Sequence, residues 1–121
     1  MRKFLHSLSV ANAGIRFAIR TQLHMRIHLI AAALACGIGL LVSLPRGDWA
    51  ILILTIALVI SAEMVNTAIE QAVNLASPDI HPIAKAAKDV AAGAVLLAAI
   101  AAVVIGLLLL GPPLWRLCFD V

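Results

Sequence analysis

Long apolar runs make up most of this chain, and short polar stretches separate them. A helix needs roughly 20 mainly apolar residues to cross a bilayer, and the pattern predicts such spans over residues 27–44, 49–75 and 82–110. The second span ends in a cytoplasmic extension and the third begins with one. Residues 1–26 are basic and carry apolar side chains at helical spacing, which predicts an amphipathic helix on the membrane surface. We therefore expect an all-α, polytopic membrane protein in which residues 1–121 form one membrane domain.

The ends of the spans are marked by turn-forming residues. Pro45-Arg46-Gly47-Asp48 is expected to end the first span, and Gly111-Pro112-Pro113 the third. Pro82 suits the first turn of the third helix. A signal peptide is the competing interpretation of the N-terminus, but the apolar run begins too late and lacks a small-residue cleavage site.

Composition agrees with a membrane protein. Hydrophobic residues make up 64% of the 121 residues and charged residues only 12%, so a water-soluble domain of this size would expose too much apolar surface. The two cysteines, Cys36 and Cys118, suggest neither a disulfide framework nor a metal site. The net charge of +3 is modest and unevenly placed, which bears on membrane topology and gives no reason to expect nucleic acid as a partner.

The basic residues predict how the chain crosses the membrane. The positive-inside rule places the N-terminus and the connection over residues 75–88 in the cytoplasm, so the C-terminus lies outside. Trp49 and Trp115 then share the outer interface. We expect a multi-pass membrane protein. The cytoplasmic basic residues are Arg2, Lys3, Arg16, Arg20, Arg26, Lys85 and Lys88, against Arg46 and Arg116 outside.

One polar helix face stands out in the second span. Glu63 lies roughly 20 Å along the helix from the start of that span, still within the apolar zone. Ionisable groups inside membrane segments are functional candidates by default, although a cytoplasmic helix with solvated charges would explain part of the pattern. At 100° per residue the members of this polar face are Glu63, Asn66, Thr67, Glu70 and Asn74.

These residue types fit phosphoryl transfer. Carboxylates beside amides can hold Mg²⁺, whose other ligands are water and phosphate oxygens. Lys88, near the start of a helix, can neutralise phosphate charge, and a carboxylate at head-group depth can take a proton from a lipid hydroxyl. The sequence contains no Walker A motif and no protein-kinase motif. On spacing alone, a proton-coupled carrier or a small helical scaffold would explain the charges nearly as well.

Two segments resemble the signatures of the bacterial integral-membrane diacylglycerol kinase family. They are Glu63-x-x-Asn66-Thr67-Ala68-Ile69-Glu70 and Ala87-Lys88-Asp89-Val90-Ala91-Ala92-Gly93-Ala94-Val95. Arg26-Ile27-His28 and Ser77-Pro78-x-x-His81-Pro82-x-Ala84-Lys85 look more like the Gram-positive-type branch, whose members are undecaprenol kinases. The resemblance implies a homotrimer with active sites shared between subunits, ATP and Mg²⁺ as cofactors, and a lipid alcohol as substrate, with undecaprenol favoured over diacylglycerol.

The resemblance also implies roles for individual residues. Glu63 matches the catalytic carboxylate at the lipid hydroxyl, and Glu70 matches a metal ligand. Other active-site positions are matched by Asn66, Lys88 and Asp89, and the cytoplasmic segment that contacts the nucleotide by Asp79 and His81. Asn74 occupies a further position expected to contact the cofactor. Arg16 is a candidate for the nucleotide phosphates, although attraction to anionic lipid also explains it.

Two positions depart from the family pattern. Gln22 stands where a glutamate usually shares the metal, and Asn74 stands where an aspartate is common. Each change keeps the size of the side chain and removes a negative charge, which weakens a Mg²⁺ site. A catalytically weakened or non-catalytic scaffold of the same fold is therefore the alternative. His24 and His28 could contact phosphate or lipid head groups, but partly buried, hydrogen-bonded histidines at the membrane interface are commoner.

Overall fold

The computed structural model describes residues 1–120, which form four α-helices joined by short connections. The helices are α1 (Arg2–Thr21), α2 (Leu23–Leu41), α3 (Arg46–Ala76) and α4 (Pro82–Phe119). By length and composition α2, α3 and α4 could each cross a membrane. The prediction of an all-α protein with three spans is confirmed, whereas the surface position of α1 and the trimer stay predictions.

The N-terminal helix is shorter than predicted, because the chain breaks at Gln22 and residues 23–26 belong to α2. Gln22 has extended dihedral angles, with φ −113° and ψ 114°. Its N–H still donates to the carbonyl of Ala18 at 2.9 Å, and its carbonyl accepts from the N–H of Arg26 at 3.4 Å. The break therefore leaves these backbone groups paired, and it needs no proline or glycine that the sequence could display.

The first span also ends earlier than predicted, at Leu41. Ser43 has a positive φ of 53°, and its N–H donates to the carbonyl of Leu40 at 3.3 Å. The N–H of Leu44 donates to the carbonyl of Gly39 at 2.9 Å. These two bonds form a Schellman motif with serine at the position that glycine usually holds. The buried Leu44 anchors the motif against Leu52 and Leu110.

The predicted turn over residues 45–48 is instead the start of α3. Pro45 is the N-cap residue, and Arg46, Gly47 and Asp48 lie in the first turn. A proline is tolerated there because the first N–H groups of a helix have no intrahelical partner, and the carboxylate of Asp48 suits the positive end of the helix dipole. α2 approaches α3 closely nearby, since a Cβ on Gly39 would lie 2.9 Å from the ring of Trp49.

α4 begins as predicted and ends later than predicted. Pro82 is in the first turn, after the N-cap residue His81. The helix then continues through Pro112 and Pro113 to Phe119. Proline already has a helical φ, and the clash that it imposes on the preceding residue is smaller at Gly111, which lacks a Cβ. Membrane helices tolerate such residues more readily than soluble ones.

Candidate functional site

The polar face of α3 is largely withdrawn from solvent at its N-terminal end. The exposed fraction is 1% for Glu63, 7% for Asn66 and 4% for Thr67. Glu70 is half-buried and Asn74 is exposed, so burial decreases along the face towards the α3–α4 connection. An arrangement of this kind leads from a dry carboxylate to an open polar end within one helix.

Hydrogen bonds hold most of the polar groups on this face. The hydroxyl of Thr67 donates to the backbone carbonyl of Glu63 at 2.9 Å. The amide Nδ2 of Asn66 donates to Oε1 of Glu70 at 3.3 Å. Asn66 and Thr67 are thus fixed by their own helix, and both donors are directed away from the carboxylate of Glu63.

Three buried oxygen atoms on this face have no hydrogen-bond partner, namely Oε1 and Oε2 of Glu63 and Oδ1 of Asn66. Buried polar atoms are nearly always hydrogen-bonded, so each exception needs an explanation. The imidazole of His28 on α2 lies close by, with its Nε2 at 3.6 Å from Oε2 of Glu63. That distance is slightly too long for a hydrogen bond. Within residues 1–120 the Glu63 carboxylate therefore has a close basic neighbour but no hydrogen-bond donor.

An apolar groove of about 270 Å³ leads through the membrane-spanning part towards His28. We define this groove by its walls from α2, α3 and α4, where small side chains leave the space open. His28 and Thr55 are its polar members, and Thr55 satisfies its hydroxyl by donating to the carbonyl of Ile51 at 2.7 Å. The other lining residues are Ala31, Ala32, Ala35, Leu52, Ile56, Val59, Ile60, Ala99, Ala102, Val103 and Gly106.

A polar cleft of about 280 Å³ lies at the connection between α3 and α4. It contains five of the residues predicted to bind the nucleotide, all from the continuous stretch of residues 74–89. We call it the connection cleft. Its polar and charged lining residues are Asn74, Ser77, Asp79, His81, Lys85, Lys88 and Asp89.

The charges of the connection cleft are only partly paired. Nζ of Lys85 lies 2.6 Å from Oδ2 of Asp89, one helical turn away, and both side chains are exposed. Lys88 is half-buried and forms no ion pair within residues 1–120. Nδ1 of His81 accepts the N–H of Ile83 at 3.1 Å, which caps α4 and leaves Nε2 to donate elsewhere. The cleft thus offers an unpaired cation and a free imidazole donor.

Five predicted site residues are outside the lining of this cleft in a single chain: Glu63, Asn66 and Glu70 on the polar face of α3, and Arg16 and Gln22 near the N-terminus. Arg16 is exposed on α1, a helix that contacts α2 and α3 but not α4 among the described residues. Gln22 is half-buried at the break between α1 and α2, and it is not part of the cleft lining. The structure therefore brings Asn74 together with residues of the connection and of α4, and it leaves Arg16 and Gln22 apart from the cleft.

The oxygen atoms of the polar face fit Mg²⁺ as part of a larger ligand set. No group of three or more His, Cys, Asp or Glu side chains in residues 1–120 is arranged to hold a metal ion by itself. Mg²⁺ usually binds through one or two carboxylates and takes its remaining ligands from water and substrate phosphates. A half-buried Glu70 beside the unpartnered Oδ1 of Asn66 matches that partial role.

Two residues near the site were not among the predicted site residues. His28 was interpreted as an interfacial histidine, although the cost of burying the Glu63 carboxylate called for a partner on a neighbouring helix. Lys85 entered the predictions as a cytoplasmic basic residue and as part of a motif, yet its spacing of four residues from Asp89 is the spacing of a helical ion pair. The spacing could have revealed Lys85, whereas the contact of His28 depends on how α2 packs on α3.

Comparisons with known proteins show which family the chain resembles along most of its length. The profile of the prokaryotic diacylglycerol kinase family matches residues 9–110. An undecaprenol kinase of Bacillus subtilis is 41% identical over 114 residues, which cover 94% of this chain and 93% of that kinase. A diacylglycerol kinase of Synechocystis is 46% identical over 114 residues, which cover 93% of this chain and 65% of that kinase. A diacylglycerol kinase of Pseudomonas aeruginosa is 28% identical over 94 residues, 78% of this chain and 76% of that kinase.

The family match confirms the resemblance drawn from the two signature segments and, with it, the class of ATP-dependent lipid kinases. Together with three apolar helices it identifies a bacterial membrane protein. This chain belongs to the prokaryotic diacylglycerol kinase family.

Proposed function

We propose that the protein transfers the γ-phosphoryl group of ATP to a lipid alcohol at the cytoplasmic face of the membrane, with undecaprenol favoured and diacylglycerol next. The observation that carries the proposal is the buried, unpartnered carboxylate of Glu63 beside the end of the apolar groove. A lipid alcohol has the two parts that this site accommodates, an apolar chain for the groove and a hydroxyl for the carboxylate. Undecaprenol is favoured because the Bacillus subtilis relative, which is 41% identical over 94% of this chain, is named an undecaprenol kinase.

Each predicted residue has a role in this reaction. Glu63 takes the proton of the lipid hydroxyl. As it does so, the lipid oxygen attacks the γ-phosphorus, the bond from that phosphorus to the β-γ bridging oxygen breaks, and ADP leaves. Asn66 keeps Glu70 oriented through their hydrogen bond. The nucleotide occupies the connection cleft, where Lys88 neutralises phosphate charge and Asp89 orients the reacting groups. Asn74, Asp79 and His81 complete the nucleotide contacts.

Mg²⁺ would be held by Glu70 and Gln22 together with the phosphate oxygens of ATP. When bound it neutralises negative charge on the transferred phosphoryl group. Gln22 offers only a neutral carbonyl oxygen, which binds Mg²⁺ less well than a carboxylate does. The other proposed roles do not involve the metal: Glu63 accepts a proton, Lys88 binds phosphate and the groove excludes water.

A homotrimer with shared sites supplies what one chain lacks. Arg16 and Gln22 lie away from the connection cleft within one chain, and a neighbouring subunit can bring its own copies to it. We further propose that the N-terminus and the α3–α4 connection are cytoplasmic, that the C-terminus is outside, and that α1 lies in the membrane interface. The excess of basic residues on that side supports this topology.

The experiment for the function is phosphorylation of defined lipids in detergent micelles with radiolabelled ATP. We expect Mg²⁺-dependent transfer to undecaprenol and slower transfer to diacylglycerol. A reversed order would assign the substrate to diacylglycerol. No transfer to any lipid alcohol by the purified, assembled protein would support the alternative, a non-catalytic scaffold weakened by Gln22 and Asn74.

The topology is tested by single-cysteine labelling in a variant without Cys36 and Cys118. We expect Asp79→Cys to react with a membrane-impermeant reagent only from the cytoplasmic side, and Asp48→Cys only from the outside. The opposite result would place the connection cleft away from cellular ATP and contradict the proposed function.

A further inference from the structure

The carboxylate of Glu63 lacks a donor that its surroundings would be expected to provide. It is 1% exposed, and neither of its oxygen atoms has a hydrogen-bond partner. The two polar side chains that follow it on α3 cannot help, because Thr67 donates to the Glu63 backbone and Asn66 donates to Glu70. A donor must therefore come from another helix or from the substrate.

His28 is the one basic side chain within 4 Å of this carboxylate among residues 1–120. Its Nε2 lies 3.6 Å from Oε2 of Glu63, and its side chain is 18% exposed. A movement of a few tenths of an ångström would convert this contact into a hydrogen bond. The same imidazole lines the apolar groove, so it stands between the space for the lipid chain and the carboxylate.

We propose that His28 is a positioning residue for Glu63 in lipid phosphorylation. With the lipid bound, its Nε2–H donates to Oε2 of Glu63 and directs the other oxygen, Oε1, to the lipid hydroxyl at the end of the groove. The inference rests on the proposed function. The hydroxyl proton passes to Oε1 as the lipid oxygen bonds to the γ-phosphorus and ADP leaves, while His28 keeps its own proton throughout.

Kinetic measurements distinguish this positioning role from two other roles that His28 could have. A residue that only lines the groove would affect the KM for the lipid, and a residue that binds nucleotide would affect the KM for ATP. A group that orients the base acts on kcat, because a misplaced base slows proton transfer in the bound complex. His28 is also outside the lining of the connection cleft, which speaks against a nucleotide role.

The test compares variants of His28 in the full-length, assembled protein. His28→Leu removes the donor, and His28→Gln keeps an N–H at similar reach. We expect His28→Leu to lower kcat roughly 10- to 100-fold, the value of one hydrogen bond to a charged group, with the KM for ATP unchanged. We expect His28→Gln to retain kcat within roughly threefold of wild type, which is less than the cost of one lost hydrogen bond. His24→Leu is the matched control, since His24 is exposed on the same helix and lies outside the groove lining.

A double mutant then shows whether His28 acts through Glu63. In a Glu63→Gln background, His28→Leu should cause no more than a further twofold loss, because the base that it orients is already absent. Equal losses in both backgrounds would overturn the proposal, as would a wild-type kcat in His28→Leu. If His28→Leu fails to assemble, His28→Met provides the same comparison with a more flexible apolar side chain. A wild-type protein without lipid kinase activity would refute the proposed function instead.

Discussion

The charged side chains at the two ends of the proposed active site differ in their burial and in their partners. At the end within the membrane span, the side chain of Glu63 is buried and its carboxylate has no hydrogen-bond partner in residues 1–120. At the connection cleft, Nζ of Lys85 lies 2.6 Å from Oδ2 of Asp89, and both side chains are exposed. Burying the Glu63 carboxylate is costly, and its basic neighbour His28 lies 3.6 Å away, too far for a hydrogen bond. The exposed pair is close yet contributes little to stability, because solvent screens such pairs.

This difference matches the two substrates. A lipid hydroxyl arrives from the membrane and needs a dry carboxylate with a free oxygen atom. A nucleotide arrives from water and needs an open cleft with cations that can exchange partners. From Glu63 to Asn74 the two environments are separated by roughly 16 Å along α3, and Glu70 lies between them. One continuous helix can thus align a membrane substrate with a soluble one.

The largest effect is expected from the buried end. Glu63→Gln keeps the shape of the side chain and removes both the proton acceptor and the charge. We expect kcat to fall roughly 100-fold or more, which is the usual contribution of a general base. The measurement is lipid-dependent ATP turnover by purified, assembled protein.

Asp48→Asn is the control for this variant, since it removes a carboxylate at the opposite end of α3. We expect it to retain wild-type turnover. Near-normal kcat in Glu63→Gln would exclude the proposed role of the carboxylate and leave its burial unexplained.

A smaller effect, of a different kind, is expected from the cleft. Lys88→Met removes the cation that forms no ion pair, and we expect kcat/KM for ATP to fall roughly 30-fold, as for the loss of one charge-assisted contact. Lys3→Met on α1 is the control, because it removes a basic residue outside the cleft. A larger loss for Lys3→Met than for Lys88→Met would place the nucleotide elsewhere.

The cleft was easier to predict from the sequence than the buried end. Asn74, Asp79, His81, Lys88 and Asp89 are close in sequence to a single helix–helix connection, so a motif can display them together. The polar face of α3 followed equally from helical periodicity. The position of His28 against Glu63 could not be predicted, because the two residues are 35 positions apart in the chain and their contact depends on how α2 packs on α3.

The helix ends show the same limit. The break at Gln22 and the Schellman motif at Ser43 lack the glycine or proline that usually marks such sites, so the spans were predicted with different bounds. Conversely, Pro112 and Pro113 predicted an end to α4 that the helix does not have. Local signals fail where backbone hydrogen bonds can be kept without the usual residue, or where a breaker sits beside a glycine.

A variant of Gln22 tests which residues hold Mg²⁺ at the proposed nucleotide site. Gln22→Glu introduces a carboxylate where we propose a weak ligand, and we expect the Mg²⁺ concentration for half-maximal activity to fall roughly tenfold, as for one recovered charge-assisted contact. The activity is titrated with Mg²⁺ at fixed ATP. Calorimetric titration of the protein with the Mg²⁺ complex of a non-hydrolysable ATP analogue gives a second, activity-independent measurement.

Tighter binding of the magnesium nucleotide in that calorimetric titration would support a metal-ligand role. An unchanged Mg²⁺ requirement together with unchanged nucleotide binding would exclude Gln22 from the metal ligands. The control is Gln71→Glu, which adds the same charge at an exposed position of α3.

The smallest effect is expected from the apolar groove, and it should depend on the length of the lipid chain. A Cβ on Gly106 would meet no atom within 4 Å, so Gly106→Leu can fold while its side chain fills part of the groove. The groove is open on one side and a long prenyl chain can partly move aside, so the penalty should be near the lower limit for overpacking. We expect kcat/KM for undecaprenol to fall about fivefold, corresponding to about 1 kcal/mol. A short prenyl alcohol that ends before Gly106 should be phosphorylated at the wild-type rate. Gly37→Leu is the control, since Gly37 has equally open surroundings on α2 but does not line the groove. Equal losses for long and short alcohols, or for both variants, would show that the lipid chain does not follow this groove.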